Sequence, residues 1–176
     1  DLFLALIIKI LKKNGRAAVV LPDGSLFGEG VKTKIKEELL SKCNLHTIVR
    51  LPNGVFNPYT GIKTNLLFFE KGKATKETWY YEMPYPEGIK NYSASRPIDI
   101  KHFDEIKKWW FDRKENEYAW KVLFKEIKTR NFNLDIKNGN TSEEEIAQSA
   151  EELISILENS FKKSIALLAE IKKDQK

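Results

Sequence analysis

Disulfide scaffolds, metal clusters and membrane spans all need something this chain has little of. Among its 176 residues there is one cysteine, Cys43, so no internal disulfide can form, and such usage suits a reducing, cytoplasmic compartment. Its two histidines, His46 and His102, stand far apart with no Cys or carboxylate cluster at ligand spacing, so no metal is expected. No Ser/His/Asp or Cys/His pairing suggests a nucleophile. The apolar opening, residues 2–11, is interrupted by Lys9 and falls well short of the roughly 20 residues that cross a bilayer. It also lacks the charged leader and cleavage site of a signal peptide, and reads instead as a buried helix. The chain starts at Asp1 with no methionine, which leads us to expect a piece of a longer protein.

The net charge of +5 is modest for a nucleic-acid binder, and its distribution is more informative. Lys and Arg outnumber Asp and Glu by 11 to 6 over residues 1–72 and by 14 to 11 over 73–140, whereas 141–176 carries 5 against 8. If phosphates are gripped, the acidic tail is the least suitable grip.

Apolar periodicity divides the chain into three parts. In residues 1–72 a helix ends at Asn14-Gly15, and the short apolar run Arg16 to Leu21 suits a strand covered on both faces. An amphipathic helix over 31–43 follows, with Ile35, Leu39 and Leu40 on one face, and then two strands, 45–51 and 63–70. That order fits an open α/β sheet closing on an antiparallel pair, yet three strands are about half of what a doubly wound nucleotide-binding sheet needs. Residues 73–140 are richer in aromatics. There Asp104 can cap a short helix running to Lys114, and periodicity leaves 119–127 open between strand and helix. From Thr141 to Lys173 an apolar stripe through Leu153, Leu157, Phe161 and Ile165 predicts a helix roughly 45 Å long at about 1.5 Å per residue. Its free face calls for a partner.

The segment between the two late strands concentrates groups that can read a nucleobase. Asn57-Pro58-Tyr59 superficially resembles the amide, prolines and aromatic with which amino-methyltransferases hold an exocyclic amine, but it has one proline and follows a late strand. Thr60, Lys63 and Thr64 can present hydroxyls and an ammonium to DNA, with Gly61 permitting close approach; ordinary hairpin chemistry explains Gly61 and Thr64 as well. Asp23 ends a strand where α/β sheets bind ligands, although a turn-capping Asp is the commoner explanation. Gly24 to Gly30 has neither dinucleotide spacing nor a P-loop lysine, and reads as a flexible loop at a cleft rim. Trp109, Trp110 and Phe111 can stack on bases, but at that density packing is the simpler reading.

Four motifs, Val20-Leu-Pro-Asp-Gly24, Leu51-Pro-Asn-Gly-Val-Phe56, Tyr59-Thr-Gly-Ile-Lys-Thr-Asn65 and Arg130-Asn-Phe-Asn-Leu-Asp135, together resemble the methylation subunits of type I restriction-modification systems, adenine-specific DNA methyltransferases. Asn138-Gly139 departs from the Asn-Pro common at that place in the family. The resemblance implies the C-terminal part of a Rossmann-like sheet that uses S-adenosylmethionine, followed by an α+β extension and a long C-terminal helix. It implies three parts: 1–72 as the second half of the catalytic domain, 73–140 as a family-specific extension, and 141–176 as a helix for subunit assembly. The expected partners are double-stranded DNA, a specificity subunit and a restriction subunit, with no membrane and no metal. In similar enzymes an aromatic of the last inter-strand loop packs on the flipped adenine. Phe56 holds the matching place, and Tyr59 is the reserve. The family's glycine-rich cofactor loop and Asn-Pro-Pro-aromatic motif precede this region, so the chain alone is expected to be inactive. The rival reading is a noncatalytic module that binds nucleic acid or protein. Methylation of RNA or protein is a weaker third.

Overall fold

The structure, a computed structural model, describes residues 2–139 and, beyond them, Ile154, residues 157–162, Ser164 and Ile165. One compact unit spans Asp1–Asn140. Its elements are α1 (Leu2–Ile10), β1 (Arg16–Pro22), α2 (Asp23–Phe27), α3 (Val31–Lys42), β2 (Cys43–Arg50), β3 (Thr64–Lys71) and β4 (Glu77–Glu82). A 3-10 turn (Ile100–Phe103), α4 (Asp104–Phe111), β5 (Ala119–Leu123) and α5 (Phe124–Thr129) complete the unit.

The five strands form one sheet in the order β1-β3-β2-β4-β5. β3 lies between β1 and β2, antiparallel to both, and Ile48 and Val49 pair with Leu67 and Leu66. β4 then runs parallel to β2, and β5 antiparallel to β4. The two late strands expected from the sequence are therefore an antiparallel pair, and β4 and β5, contributed by 73–140, continue the same sheet.

Side chains alternate across this sheet with the period of two that a pleated strand imposes. Ile48, Leu67 and Tyr80 face one core, closed by Leu4 and Ile8 of α1, Ile35 and Leu39 of α3, Ile127 of α5 and Leu134. Val49, Tyr81 and Ala119 face a second, smaller core, closed by Ile106 and Trp109 of α4. The register shifts between Leu45 and Thr47, and His46 sits in that bulge. Its ring lies edge-on to Trp110 with centroids 5.8 Å apart.

Several expectations need correction. β1 is covered on one face only: Ala17, Val19 and Leu21 are half-buried against the first core, while Ala18 and Val20 are exposed. Among the described residues its sole strand partner is β3. α1 is likewise buried on one side, through Leu4 and Ile8, whereas Leu2, Phe3, Leu6 and Ile10 are exposed. Apolar composition predicted burial, but among the described residues nothing covers the Ala18 and Val20 face of β1 or the outer side of α1. Asp104 begins α4 without capping it, because the chain enters through the 3-10 turn, capped by Asp99, and the helix ends at Phe111, not Lys114. Residues 119–127 are strand and then helix, which is why no single period fitted them.

The long helix expected over 141–173 lies mostly outside the described residues. Those described there are helical, and Leu157, Phe161 and Ile165 of the stripe are exposed. Among the described residues no helix is long and apolar enough to cross a membrane.

Candidate functional site

The β2–β3 connection, residues 51–63, closes where the amide of Leu51 donates to the carbonyl of Thr64 (3.0 Å). Inside it the chain turns tightly around Phe56, whose carbonyl accepts from the amides of Tyr59 (2.9 Å) and Thr60 (3.1 Å). The amide of Asn57 donates to Gly54 (3.0 Å). Gly54 has φ +78°, the left-handed region that favours glycine.

Phe56 is 38% exposed, and Tyr59 is 92% exposed. Phe56 is thus partly embedded with one part of its surface free, the state of a ring that can receive a second ring. Tyr59 stands clear of the body. The hydroxyl of Thr60 accepts from the amide of Ile62 (3.1 Å) and stiffens the turn. Lys63 is not a free ammonium, since it pairs with Glu82 at 3.0 Å, with both partners partly exposed.

Asp23 and the foot of this loop come together at one end of the sheet. The amide of Asp23 donates to the carbonyl of Lys63 (3.0 Å), and its carboxylate accepts from the side-chain amide of Asn65 (2.6 Å). Asn65 is fully buried, and its own Oδ1 has no partner, as is true of the Thr64 hydroxyl. A buried amide oxygen without a donor is costly, about 1–3 kcal/mol. Arg50, which faces Asn65 across the strands, is also buried and contacts Asp135 at 2.7 Å. Phe56, Tyr59, Thr60 and Lys63 therefore share one loop, with Asp23 at its foot. The sequence motifs include Asn65 and Asp135 without assigning them a role, and Arg50 was missed, since a polar residue at a strand end carries no local sign that it will be buried.

A second group of missed residues comes from 83–103. The side-chain amide of Asn57 donates to the carbonyl of Tyr92 (3.0 Å), and the hydroxyl of Tyr85 to that of Asn53 (3.1 Å). Tyr92 is wholly buried, with its hydroxyl 3.0 Å from Nδ1 of His102. Burial pushes the Tyr92 hydroxyl above its ordinary pKa.

The residues after β1 do not form a cofactor cradle. Residues 24–30 are not a flexible loop: α2 occupies much of the segment, and its carbonyls are taken by lysines of α3. Lys36 donates to Leu26 (2.7 Å) and Gly28 (2.9 Å), and Lys32 to Gly24 (3.0 Å). A Cβ on Gly28 would strike the Lys32 side chain, so the space beside this glycine is already filled by the protein. S-adenosylmethionine does not fit in this segment. Among the described residues there is also no group of three His, Cys, Asp or Glu able to hold a metal.

Trp109 is buried in the second core, edge-on to Trp79 and tilted against Tyr81, so it packs and does not face a ligand. Trp110 is roofed by the Arg113 guanidinium at 4.6 Å. Phe111 is exposed and packs little.

Comparison with known proteins matches residues 2–148 to a family described as N-6 DNA methylase. The chain is 64% identical over 145 residues to the type I restriction enzyme EcoEI methylase subunit of Escherichia coli, covering 78% of this chain and 30% of that protein. Among solved structures, a modification subunit of a putative type I restriction enzyme from Vibrio vulnificus YJ016 superposes with a TM-score of 0.75 at 47% identity, over 80% of this chain and 32% of that one. A chain from a structure concerned with complex assembly and conformational transition of the type I restriction-modification system has the same TM-score at 37% identity, over 97% of this chain and 38% of that one. The chain thus spans about a third of the length of these relatives.

Proposed function

The chain belongs to the N-6 DNA methylase family, and from that premise we propose that it forms the target-base side of the modification subunit of a type I restriction-modification system. The complete subunit is a site-specific, adenine-specific DNA methyltransferase of the cytoplasm. It transfers a methyl group from S-adenosylmethionine to the exocyclic N6 of adenine, a reaction that the chain on its own is expected not to turn over.

The observation that carries this reading is Phe56, held half-exposed on a hydrogen-bonded turn beside the end of the sheet where Asp23, Thr64 and Asn65 converge. An enzyme that modifies a base within a duplex must first extrude it, and an extruded base is stabilised by stacking and by hydrogen bonds. Stacking on an aromatic ring contributes about 1–3 kcal/mol per base. Phe56 stacks on the adenine, with Tyr59 as the reserve ring. Asp23 and its neighbours form the rim of the cleft. Thr60 and Lys63 lie on the DNA side, where Lys63 exchanges Glu82 for a phosphate. The exposed face of β1, and its edge unpaired among the described residues, support a larger, Rossmann-like sheet in which residues 1–72 are the later half and 73–140 an extension. Residues 141–176 join the specificity subunit, a role favoured by the exposed Leu157, Phe161 and Ile165. The restriction subunit completes the assembly.

The test uses the complete subunit assembled with its specificity partner and carrying Phe56→Ala. Methylation and duplex affinity are measured separately. Loss of methylation with duplex affinity retained supports the base-side reading. An unchanged rate removes Phe56 from the site, and absence of methylation by the unaltered assembly favours a noncatalytic binding module.

A further inference from the structure

The loop that carries Phe56 does not hold its own position. Its internal hydrogen bonds, from Asn57 to Gly54 and from Tyr59 and Thr60 to Phe56, shape a turn but do not fix that turn against the sheet. The two ends are pinned at the sheet by the Leu51–Thr64 and Asp23–Lys63 bonds, and the contacts that fix the part between them come from residues 83–103. Met83 donates its amide to the carbonyl of Arg50 (2.9 Å) at the end of β2, and Tyr85 donates its hydroxyl to the carbonyl of Asn53 (3.1 Å). Asn57, next to Phe56, donates its side-chain amide to the carbonyl of Tyr92 (3.0 Å).

Tyr92 is itself tied down. Its ring is fully buried and lies 5.8 Å from that of Tyr85, and its hydroxyl meets His102 Nδ1 at 3.0 Å. His102 Nδ1 also accepts from the amide of Asp99 (3.1 Å) within the cap of the 3-10 turn. The backbones pass so closely that a Cβ on Gly54 would lie 2.7 Å from the Tyr92 carbonyl oxygen. A continuous line of contacts therefore runs from the 3-10 turn through His102 and Tyr92 to Asn57, the residue beside Phe56.

We propose that residues 83–103 are a clasp that sets the pose of the base-stacking ring, with Asn57 and Tyr92 as positioning residues. The inference rests on the reading of Phe56 given above. A turn held by two outside hydrogen bonds, to Asn53 and from Asn57, meets an incoming base already in place, whereas a loose turn must be ordered during the reaction. Preorganisation of this kind acts on the chemical step more than on duplex capture.

The experiment uses the complete modification subunit with its specificity partner and two duplexes: one with the natural target adenine, for kcat and KM, and one with 2-aminopurine in its place, which has no 6-amino group to methylate and reports extrusion alone by brightening when it leaves the stack. Asn57→Asp keeps the size of the side chain but removes the donor to Tyr92. Tyr92→Phe keeps the buried ring but removes the link to His102. The expected result is a kcat about tenfold lower for Asn57→Asp and a smaller loss for Tyr92→Phe, with a weaker 2-aminopurine signal in both. KM for the duplex stays within about twofold, since phosphate contacts dominate affinity. Two variants with parental kcat and signal overturn the clasp, as does a rise in KM at unchanged kcat. Phe56→Ala, run alongside, separates the failures. If it lowers kcat while the clasp variants do not, the clasp alone is wrong; if it too is silent, the stacking role fails and the clasp with it.

Discussion

Arg50 and Asp135, distant in sequence, meet at 2.7 Å where the end of β2 passes under the segment after α5. The guanidinium is buried and its Nε has no hydrogen-bond partner, while the Asp135 oxygen in contact receives no well-aligned N–H. Their attraction is electrostatic more than hydrogen-bonded, and each leaves the other exposed to loss. Asp135→Ala is expected to lower stability by about 2 kcal/mol, below the usual cost of orphaning a buried charge because Asp135 keeps some contact with water. The double change to Arg50→Met and Asp135→Leu is expected to cost less than the single one, because no unpaired charge remains. Urea unfolding of the three proteins measures both.

His46 gives stability a defined response to acid. Burial first, and the nearby Arg113 charge second, hold its pKa below the ordinary 6.5. As pH falls through 6.5 the unfolded chain takes up a proton that the folded chain refuses, so the unfolded state binds more protons and stability declines. The loss begins near pH 6.5 and continues down to the folded-state pKa. Denaturant midpoints taken between pH 7.5 and 5 are expected to fall, and His46→Gln is expected to flatten that fall; parallel slopes in both proteins would assign the acid response to other groups.

How far the sequence foretold this arrangement depends on the range of the interaction that decides it. The β2–β3 pair and α3 were legible because each is fixed by its own periodicity: Ile35, Leu39 and Leu40 on one helical face, and apolar runs on either side of a polar loop. The coverage of α1 and β1 was not, since an apolar run reports a tendency to be buried and not the presence of a neighbour. Phe56, Tyr59, Thr60 and Lys63 could be gathered into one loop because they are close in sequence. The partners of that loop could not, because Tyr92 holds Asn57 through a backbone carbonyl, which has no signature in residue identity. The lysines that fill the segment after β1 were hidden for the same reason: nothing in the identity of Lys36 marks it for burial, yet it is buried against the carbonyls of Leu26 and Gly28.

That buried ammonium makes a further prediction. Lys36→Met preserves the apolar stem but leaves the Leu26 and Gly28 carbonyls without their donor, at an expected cost of about 1–3 kcal/mol. Because those carbonyls shape the turn after β1, hydrogen exchange in residues 24–30 is expected to speed up more than exchange in β2 or β3. Uniform acceleration across the sheet would mean that Lys36 supports the whole unit and not this turn.

Gly54 tests the junction between the loop and residues 83–103 without removing a side chain. Its φ of +78° costs an L-residue roughly 1–2 kcal/mol, and the added methyl would also press on the Tyr92 carbonyl oxygen at 2.7 Å and the Asn57 side-chain nitrogen at 2.8 Å. Gly54→Ala is therefore expected to lower stability by about 2 kcal/mol or more, and to do so by loosening both partners. The measurement is a thermal midpoint together with amide exchange at Tyr59 and Thr60, whose donors bond to Phe56. A fall in midpoint with those amides still protected would locate the damage at Tyr92 and leave the turn intact.

Cys43 closes the set because it reports on the core itself. It begins β2 fully buried in the larger core, and burial raises its thiol above the ordinary pKa, which keeps the thiolate scarce. The thiolate is the reacting species, so both access and ionisation oppose modification in the folded chain. Labelling by a disulfide reagent at pH 8 is expected to be at least about a hundredfold slower than in urea, and to accelerate in Gly54→Ala and Asp135→Ala only as far as global opening does. A labelling rate close to that of the unfolded protein would show that the face of the sheet beneath α1 and α3 opens independently of the rest.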